Sequence, residues 1–420
     1  MKNRKIRFVV AQPLIGGMPI GLERAFDCPP LAIISAGFAN DDHYIQYMND
    51  KRSLDIPVIM MNDDYETFQT PEDEKLYNEI VKDIDVLMHV AVCAGLSQMN
   101  SSNSGSKKRG CADNDQNQNM YALTRLGMRV NAKVVTFENA PTAYTKSGAA
   151  VIDRLRGIAN DFKYSTQLVK TDTLLHGIPQ QRKRTFIMFY RDTNPGFFNY
   201  EKVPFKNLIE YLDEIPEDAG NQTIVDEKAR DDFYYFVLNH TKSETFLEAI
   251  SKLDPENKKS TWTSLQLTQK IGFDKAIVYF EENDNEKSAK LSRHCLAKVK
   301  DGKNFWDSST FLTHQGRYMN AVVNKAANRM LQPKYERGYT IRELLWLMGH
   351  PHDFDLATEK NWGHISQNVP VKTATYIGGQ IKNYLNNELE LSNSSFVKQN
   401  NDKQVIDEGD NELDIKDDEW

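Results

Sequence analysis

Residues 85–95 read Asp-Val-Leu-Met-His-Val-Ala-Val-Cys-Ala-Gly, an apolar run that ends on Cys93 and Gly95. Its length and content predict a buried strand over 85–92. An open α/β sheet presents its chemistry at the carboxyl ends of its strands, so Cys93 stands where a nucleophile would be placed. Residues 100–118 are almost all Ser, Asn, Gly, Lys, Arg and Asp. A polar stretch of that length reads as a lid over a site rather than as a turn. On this stretch alone, a small cysteine buried under a surface loop is an equal alternative.

Working outward, the first 190 residues alternate short apolar runs with helical periodicity. Strands are predicted at 6–14, 31–35, 58–61, 133–137 and 185–190, and helices from 20 and over 76–81 and 120–130. This order predicts a largely parallel sheet with helices on both faces. Between about 195 and 330 the texture changes. Charges are dense, aromatics are scattered through polar sequence, and periodicity is weak, which reads as an inserted domain with short, irregular strands. Thr340 and Glu343 are spaced as a capping box for a helix over 340–347, and 373–385 reads as a second helix returning to the first domain. Expected boundaries are 1–192 with 334–386 for the first domain, 193–333 for the insert, and 387–420 for an acidic, disordered tail.

The four cysteines (Cys28, Cys93, Cys111, Cys295) have neither paired nor metal-ligand spacing. A reduced, intracellular protein without a metal is expected. No apolar run approaches the ~18 residues that a membrane helix needs. The net charge of −7 resides in residues 401–420, which hold nine acidic residues against two lysines and leave the remainder neutral. Acidity overall therefore does not exclude a nucleic-acid partner.

Three further constellations carry chemistry. Glu138, in Phe137-Glu138-Asn139, follows an apolar strand and would share the cleft of Cys93 if the strand ends converge; a helix-capping or solvated glutamate is the alternative. Gln180, Arg182 and Arg184 alternate towards a strand, so two guanidiniums and an amide would share one face, suited to an anion or a planar polar group. Gly16 and Gly17 after the first strand, with Asp41 after the second, match in outline a nucleotide-binding unit in which an acid holds ribose hydroxyls.

In this order, these pieces resemble the DNA cytosine-5 methyltransferase family, over about 8–190 and again over 335–382. The stretch around Cys93 is similar to the family's Pro-Cys motif, Phe137-Glu138-Asn139 to its Glu-Asn-Val motif, and Gln180-x-Arg182-x-Arg184 to its Gln-x-Arg-x-Arg motif. Arg337-x-x-Thr340-x-Arg342-Glu343 with 347–354 is similar to the ninth block, and Val369-Pro370 to the tenth. A solitary, phage-borne branch is the nearest likeness. The first block departs from the family's Phe-x-Gly-x-Gly, reading Gln12-Pro13-Leu14-Ile15-Gly16-Gly17, and the residues around the nucleophile are Ala91, Val92 and Ala94.

The resemblance implies a Rossmann-like α/β core that uses S-adenosylmethionine, with an inserted α+β target-recognition domain. Catalysis would fall to Cys93, Glu138, Arg182 and Arg184, with Arg182 binding O2 of the cytosine ring. The cofactor would lie against Pro13, Leu14, Ile15, Gly16, Gly17, Asp41, Asp63, Gln367, Asn368 and Val369. Ser97, Lys107, Lys108, Arg109 and Gln180 would meet double-stranded DNA, and Lys298, Lys300 and Lys303 would line a groove face. A cytoplasmic monomer is expected, in the host cell if phage-encoded. The alternatives are the same chemistry on tRNA, or a catalytically silent DNA-binding homologue.

Overall fold

The structure is a computed structural model that describes residues 5–91, 95–97, 110–191, 202–226, 229–256, 259, 261–305, 307, 309–313, 317–323 and 328–386. Its centre is a sheet of β1 (Phe8–Ala11), β2 (Ile33–Ser35), β3 (Val58–Met60), β4 (Val86–His89), β5 (Val134–Asn139), β6 (Tyr164–Asp172) and β7 (Lys183–Arg191). The spatial order is β3-β2-β1-β4-β5-β7-β6. The first five strands are mutually parallel, and β7 runs antiparallel to both of its neighbours. β1, β2, β4 and β5 are buried along their whole length, which explains why their sequences are apolar runs rather than alternating ones.

Helices cover both faces. On one side lie α3 (Pro71–Ile80), α4 (Asp115–Arg129) and α5 (Ala149–Asp161), closing a core around Leu87, Leu123, Phe137 and Leu155. α3 starts on Thr70, whose hydroxyl accepts the Asp73 N–H at 3.1 Å, with Pro71 and three acidic residues in the first turn. The opposite face packs on α1 (Gly17–Phe26) and α13 (Val371–Leu385), around Phe8, Met18, Leu22 and Ile377. Between them in sequence come α2 (Asp42–Gln46), α6 (Leu208–Leu212) and, after the insert, α12 (Ile341–Leu347). The predicted capping box is present: Thr340 Oγ1 accepts the Glu343 N–H at 3.1 Å, and the Glu343 carboxylate accepts the Thr340 N–H at 2.7 Å.

The insert departs from the sequence expectation. Where short irregular strands were expected, its described residues hold, besides the short α6, five helices: α7 (Asp232–Thr241), α8 (Phe246–Leu253), α9 (Ser264–Ile271), α10 (Phe273–Glu282) and α11 (Glu286–Lys300). A three-stranded sheet, Thr261–Thr263, Phe311–Thr313 and Met330–Leu331, completes it. The scattered aromatics form one core, including Phe233, Phe236, Phe246, Trp262 and Phe280. Rings on helices of eight to ten residues leave little visible period, but side-chain caps mark the starts of α7, α8, α9 and α11: Asp231, Thr245, Thr263 and Asn285 all accept a first-turn N–H, while α10 starts on Gly272 without one. The returning chain pairs Met319–Asn320 in parallel with Gln180–Gln181, attaching the insert to the core.

The predicted strands and helices of the core are present with shifted ends; α2, α5 and β6 are additional. β5 extends to Asn139, so Glu138 and Asn139 belong to the strand rather than following it. Among the described residues, no helix is long and apolar enough to cross a membrane.

α1 and α13 meet through small residues. A Cβ at Gly21 would lie 2.4 Å from the Ala374 Cβ, and one at Gly378 would lie 2.7 Å from the Ala25 Cβ. Gly21→Val is therefore expected to force the helices apart and cost about 1–3 kcal/mol, read from the urea midpoint. An unchanged midpoint would show that the helices have room to part.

Candidate active site

Five parallel strands end on one edge of the sheet, and Glu138 lies there on β5, between β4 and β7. Its residue is 4 % exposed. The Nε of Arg184, at the start of β7, lies against Glu138 Oε1 as an ion pair rather than as an aligned hydrogen bond. Burial raises the Glu138 pKa above its ordinary value, against the opposing pull of Arg184 and Arg182. The result is a buried carboxyl group that holds a proton more readily than a surface glutamate, beside a cation that can stabilise its anion. The adjacent Asn139 is buried too, its Oδ1 accepting the Ala140 N–H at 2.8 Å and fixing the turn out of the strand.

Arg182 and Gln180 are used differently from the sequence expectation. Arg182 is 1 % exposed. Its Nη1 donates to the Val322 carbonyl at 3.1 Å, and its Nη2 to the Ser366 and Asn368 carbonyls at 2.8 and 2.9 Å. Gln180 is fully buried, donating to the Leu347 carbonyl at 2.9 Å and accepting the Val322 N–H at 3.0 Å. The DNA contact expected of Gln180 and the ring contact expected of Arg182 are therefore corrected: both side chains brace backbone inside the protein. Arg184 is the arginine that reaches the glutamate.

β4 pairs with β5 in the register His89↔Phe137, and His89 stacks on Phe137 at 4.3 Å between ring centres. The chain therefore leaves β4 beside the strand end that carries Glu138. Cys93 lies outside the described residues, as do Lys107, Lys108 and Arg109 of the predicted lid. The described residues flanking that lid are joined, because the Gly110 N–H donates to the Gly95 carbonyl at 2.9 Å. Both glycines are tight: a Cβ at Gly95 would lie 2.1 Å from Asn117 Oδ1, and one at Gly110 would lie 1.7 Å from the Ser147 carbonyl. Ser97 is half-buried at the start of this segment.

The loop between β1 and α1 is drawn inward. Pro13, Leu14, Ile15, Gly16 and Gly17 are all buried, and Leu14 and Ile15 point into the apolar cores. The close approach at Gly17 is made by protein, since a Cβ there would lie 2.0 Å from the Val369 carbonyl. Asn368 Oδ1 accepts the Gly17 N–H at 2.8 Å, while its Nδ2 meets His350 Nε2 at 2.6 Å. Asp41 is 1 % exposed, with its oxygens on Leu14 N and Ser35 Oγ, so its expected ribose contact is also corrected. Gln367 is exposed and accepts from Asn40 Nδ2 at 3.1 Å, and Asp63 is exposed at the turn after β3. Gln12, the last residue before this loop, is 3 % exposed, and its Oε1 has no hydrogen-bond partner.

Of the groove-face lysines, Lys298 and Lys300 lie in the last turn of α11, and Lys303 is paired with Asp301 at 3.1 Å. Sequence reasoning missed Ser35 and His350, which hold the carboxylate and amide that shape the loop. Nothing in the local sequence distinguishes Ser35 from an ordinary polar residue, and His350 lies in the 347–354 block without a role read for it. Among the described residues, no group of three or more His, Cys, Asp or Glu could hold a metal ion.

The sequence model of C-5 cytosine-specific DNA methylases matches residues 14–383. No curated protein matches the sequence. Among solved structures, the chain is similar to one described as a DNA modification methyltransferase encoded within an E. coli prophage, at TM-score 0.53 and 15 % identity, covering 91 % of this chain and 99 % of that one. It is also similar to the Entamoeba histolytica methyltransferase EhMeth (TM-score 0.55, 10 % identity, 91 % and 99 % covered). A third is S. pombe Dnmt2 methyltransferase (TM-score 0.51, 12 % identity, 91 % and 100 % covered). At these identities the likeness establishes the fold alone.

His89, fully buried next to the site, has its pKa pushed down by burial to about 3. A depressed histidine pKa contributes stability above the unfolded value, near 6.5, and loses it as the pH falls. His89→Phe should therefore remove about 2 kcal/mol of the loss in unfolding free energy between pH 7 and pH 5, whatever its effect at pH 7. Parallel urea curves for both proteins at the two pH values measure this. An identical loss in both would mean that His89 takes up its proton as readily in the folded state as in the unfolded one.

Proposed function

The chain belongs to the C-5 cytosine-specific DNA methylase family, and from that premise we propose that it methylates C5 of a cytosine swung out of duplex DNA. The observation that carries this reading is the buried Glu138 at the sheet edge, with a raised pKa and Arg184 beside it. C5 of cytosine is a weak nucleophile, and the ring must be activated before it can react. Cys93, as thiolate, adds to C6 and pushes electron density towards C5 and N3. Glu138, holding a proton, gives it to N3 and accepts a hydrogen bond from the exocyclic amine. Help of this kind is worth roughly 10²–10⁴-fold. Arg184 steadies the carboxylate that is left. Once C5 carries the methyl group, its proton passes to water, Cys93 leaves as thiolate and N3 returns its proton to Glu138, which restores the aromatic ring.

Bound S-adenosylmethionine supplies the electrophilic methyl group. The residues at the ends of β1 and β3 fit such a nucleoside. Gln12 offers a buried amide oxygen that meets no donor, and Asp63 an exposed carboxylate. Both suit the amino groups of the cofactor. The loop after Gln12 and the chain at 367–369 would complete its seat. The insert, 193–333, reads sequence, with Lys298 and Lys300 of α11 available to phosphate. Lys107, Lys108 and Arg109 close over the extruded base.

Bisulfite sequencing of DNA from cells expressing the protein should show methylated cytosines within a fixed sequence. Cys93→Ser should abolish them, and Glu138→Gln should slow methylation by about 10²–10⁴-fold. DNA containing 5-fluorocytosine should trap the wild-type protein covalently, and Cys93→Ser should not be trapped. Methylation of tRNA but not of duplex DNA would overturn the substrate while keeping the chemistry. Neither trapping nor cofactor binding would leave a silent DNA-binding homologue.

A further inference from the structure

The loop from β1 to α1 adopts a conformation that its own sequence disfavours. Gln12 has φ 51°, Leu14 φ 54° and Gly16 φ 92°. Glycine enters this left-handed region freely, whereas a side chain such as that of Leu14 crowds its own carbonyl there. Such backbone persists only where its surroundings over-determine it. Here the over-determination is visible. Asp41, just before α2, sends Oδ1 to the Leu14 N–H at 2.9 Å and Oδ2 to Ser35 Oγ at 2.6 Å. Ser35 Oγ accepts in turn from the Gly37 N–H at 3.0 Å. One buried carboxylate thus ties the loop after β1 to the turn after β2. Asn368 holds the other end of the loop through Gly17, and Tyr44 packs under Gly16, where a Cβ would lie 2.4 Å from its ring.

We propose that Asp41 is a positioning residue for S-adenosylmethionine: it holds the 12–16 loop in the left-handed turn that presents backbone to the cofactor, without touching the cofactor itself. This rests on the cofactor reading above and names what makes the atypical loop competent. A glycine at position 14 would need no such clamp. In this chain Leu14 occupies that position, and the carboxylate supplies what the missing glycine would have given.

The full-length chain is titrated calorimetrically with S-adenosylhomocysteine, which reads binding without turnover. Asp41→Ala, which removes both acceptors, should weaken binding at least about tenfold. Asp41→Asn, which keeps an acceptor for Leu14, should stay within about threefold of wild type. Adding Leu14→Gly to Asp41→Ala should restore binding to within about threefold, because glycine holds the turn unaided. A purely structural loss of the Asp41 contacts would not be rescued at position 14. Tight wild-type binding that Asp41→Ala leaves unchanged, or a double variant as weak as Asp41→Ala, overturns the proposal. If Asp41→Ala does not fold, Ser35→Ala carries the test; it should weaken binding about three- to tenfold, and unchanged binding overturns the proposal. Absence of wild-type binding would overturn the cofactor reading, and the role of Asp41 with it.

Discussion

The burial of Arg182 is the constraint on which the arrangement of this molecule depends. A guanidinium removed from water must be given acceptors, or the charge costs several kcal/mol. Here the acceptors are backbone carbonyls from two distant stretches, Val322 on the chain returning from the insert and Ser366 and Asn368 before α13. Satisfying one side chain therefore fixes where the insert re-enters the core and where the last helix begins. Gln180 reinforces the first of these from two residues away, through Val322 N and the Leu347 carbonyl. Asn368 extends the second, because its side chain holds Gly17 and so the start of α1. Three segments far apart in sequence are registered around one buried cation.

That scaffold frees its neighbour for chemistry. Arg184 is two residues further on and only partly buried, with its side chain 18 % exposed against 5 % for Glu138. The pair is asymmetric: the acid is enclosed and the base can be solvated. Enclosure raises the cost of the carboxylate, while the guanidinium lowers it, and burial is the larger effect. A carboxyl group whose pKa is raised in this way can give a proton and take it back, as a ring that gains and then loses charge requires.

The core was legible in the sequence wherever burial on both faces makes a strand continuously apolar, as in Phe8–Ala11 and 86–88. β6 was not, because Tyr164–Asp172 is the edge strand and carries polar, half-exposed residues without clean alternation. Most helices of the insert were hidden by their shortness, although side-chain caps precede α7, α8, α9 and the longer α11. At the site, the types of residue were legible and their uses were not. Arg182, Arg184, Gln180, Asp41 and Asn368 all appear as polar residues near the ends of strands or helices. Only the fold decides which of them are enclosed and spent on backbone and which remain open. Gly17 shows the same limit: its lack of a side chain was read as room for a ligand, and the atoms it makes room for belong to Asn368 and Val369.

The altered first loop then has a physical explanation. A glycine-rich turn achieves its shape through intrinsic freedom, and needs few partners to hold it. Replacing glycine by leucine at a positive φ removes that freedom and demands compensation from tertiary contacts. The compensation is a carboxylate whose own burial is unfavourable, raising the Asp41 pKa to about 7 despite two hydrogen bonds. Two unfavourable local choices, a left-handed leucine and an enclosed aspartate, are each tolerable because the other is present. Leu14 in exchange packs its side chain with Met18 and Val369 in the core beneath α1 and α13, contacts that a glycine could not make. The loop therefore trades backbone freedom for apolar packing, and the buried carboxylate is what makes that trade compatible with a defined turn at the end of β1.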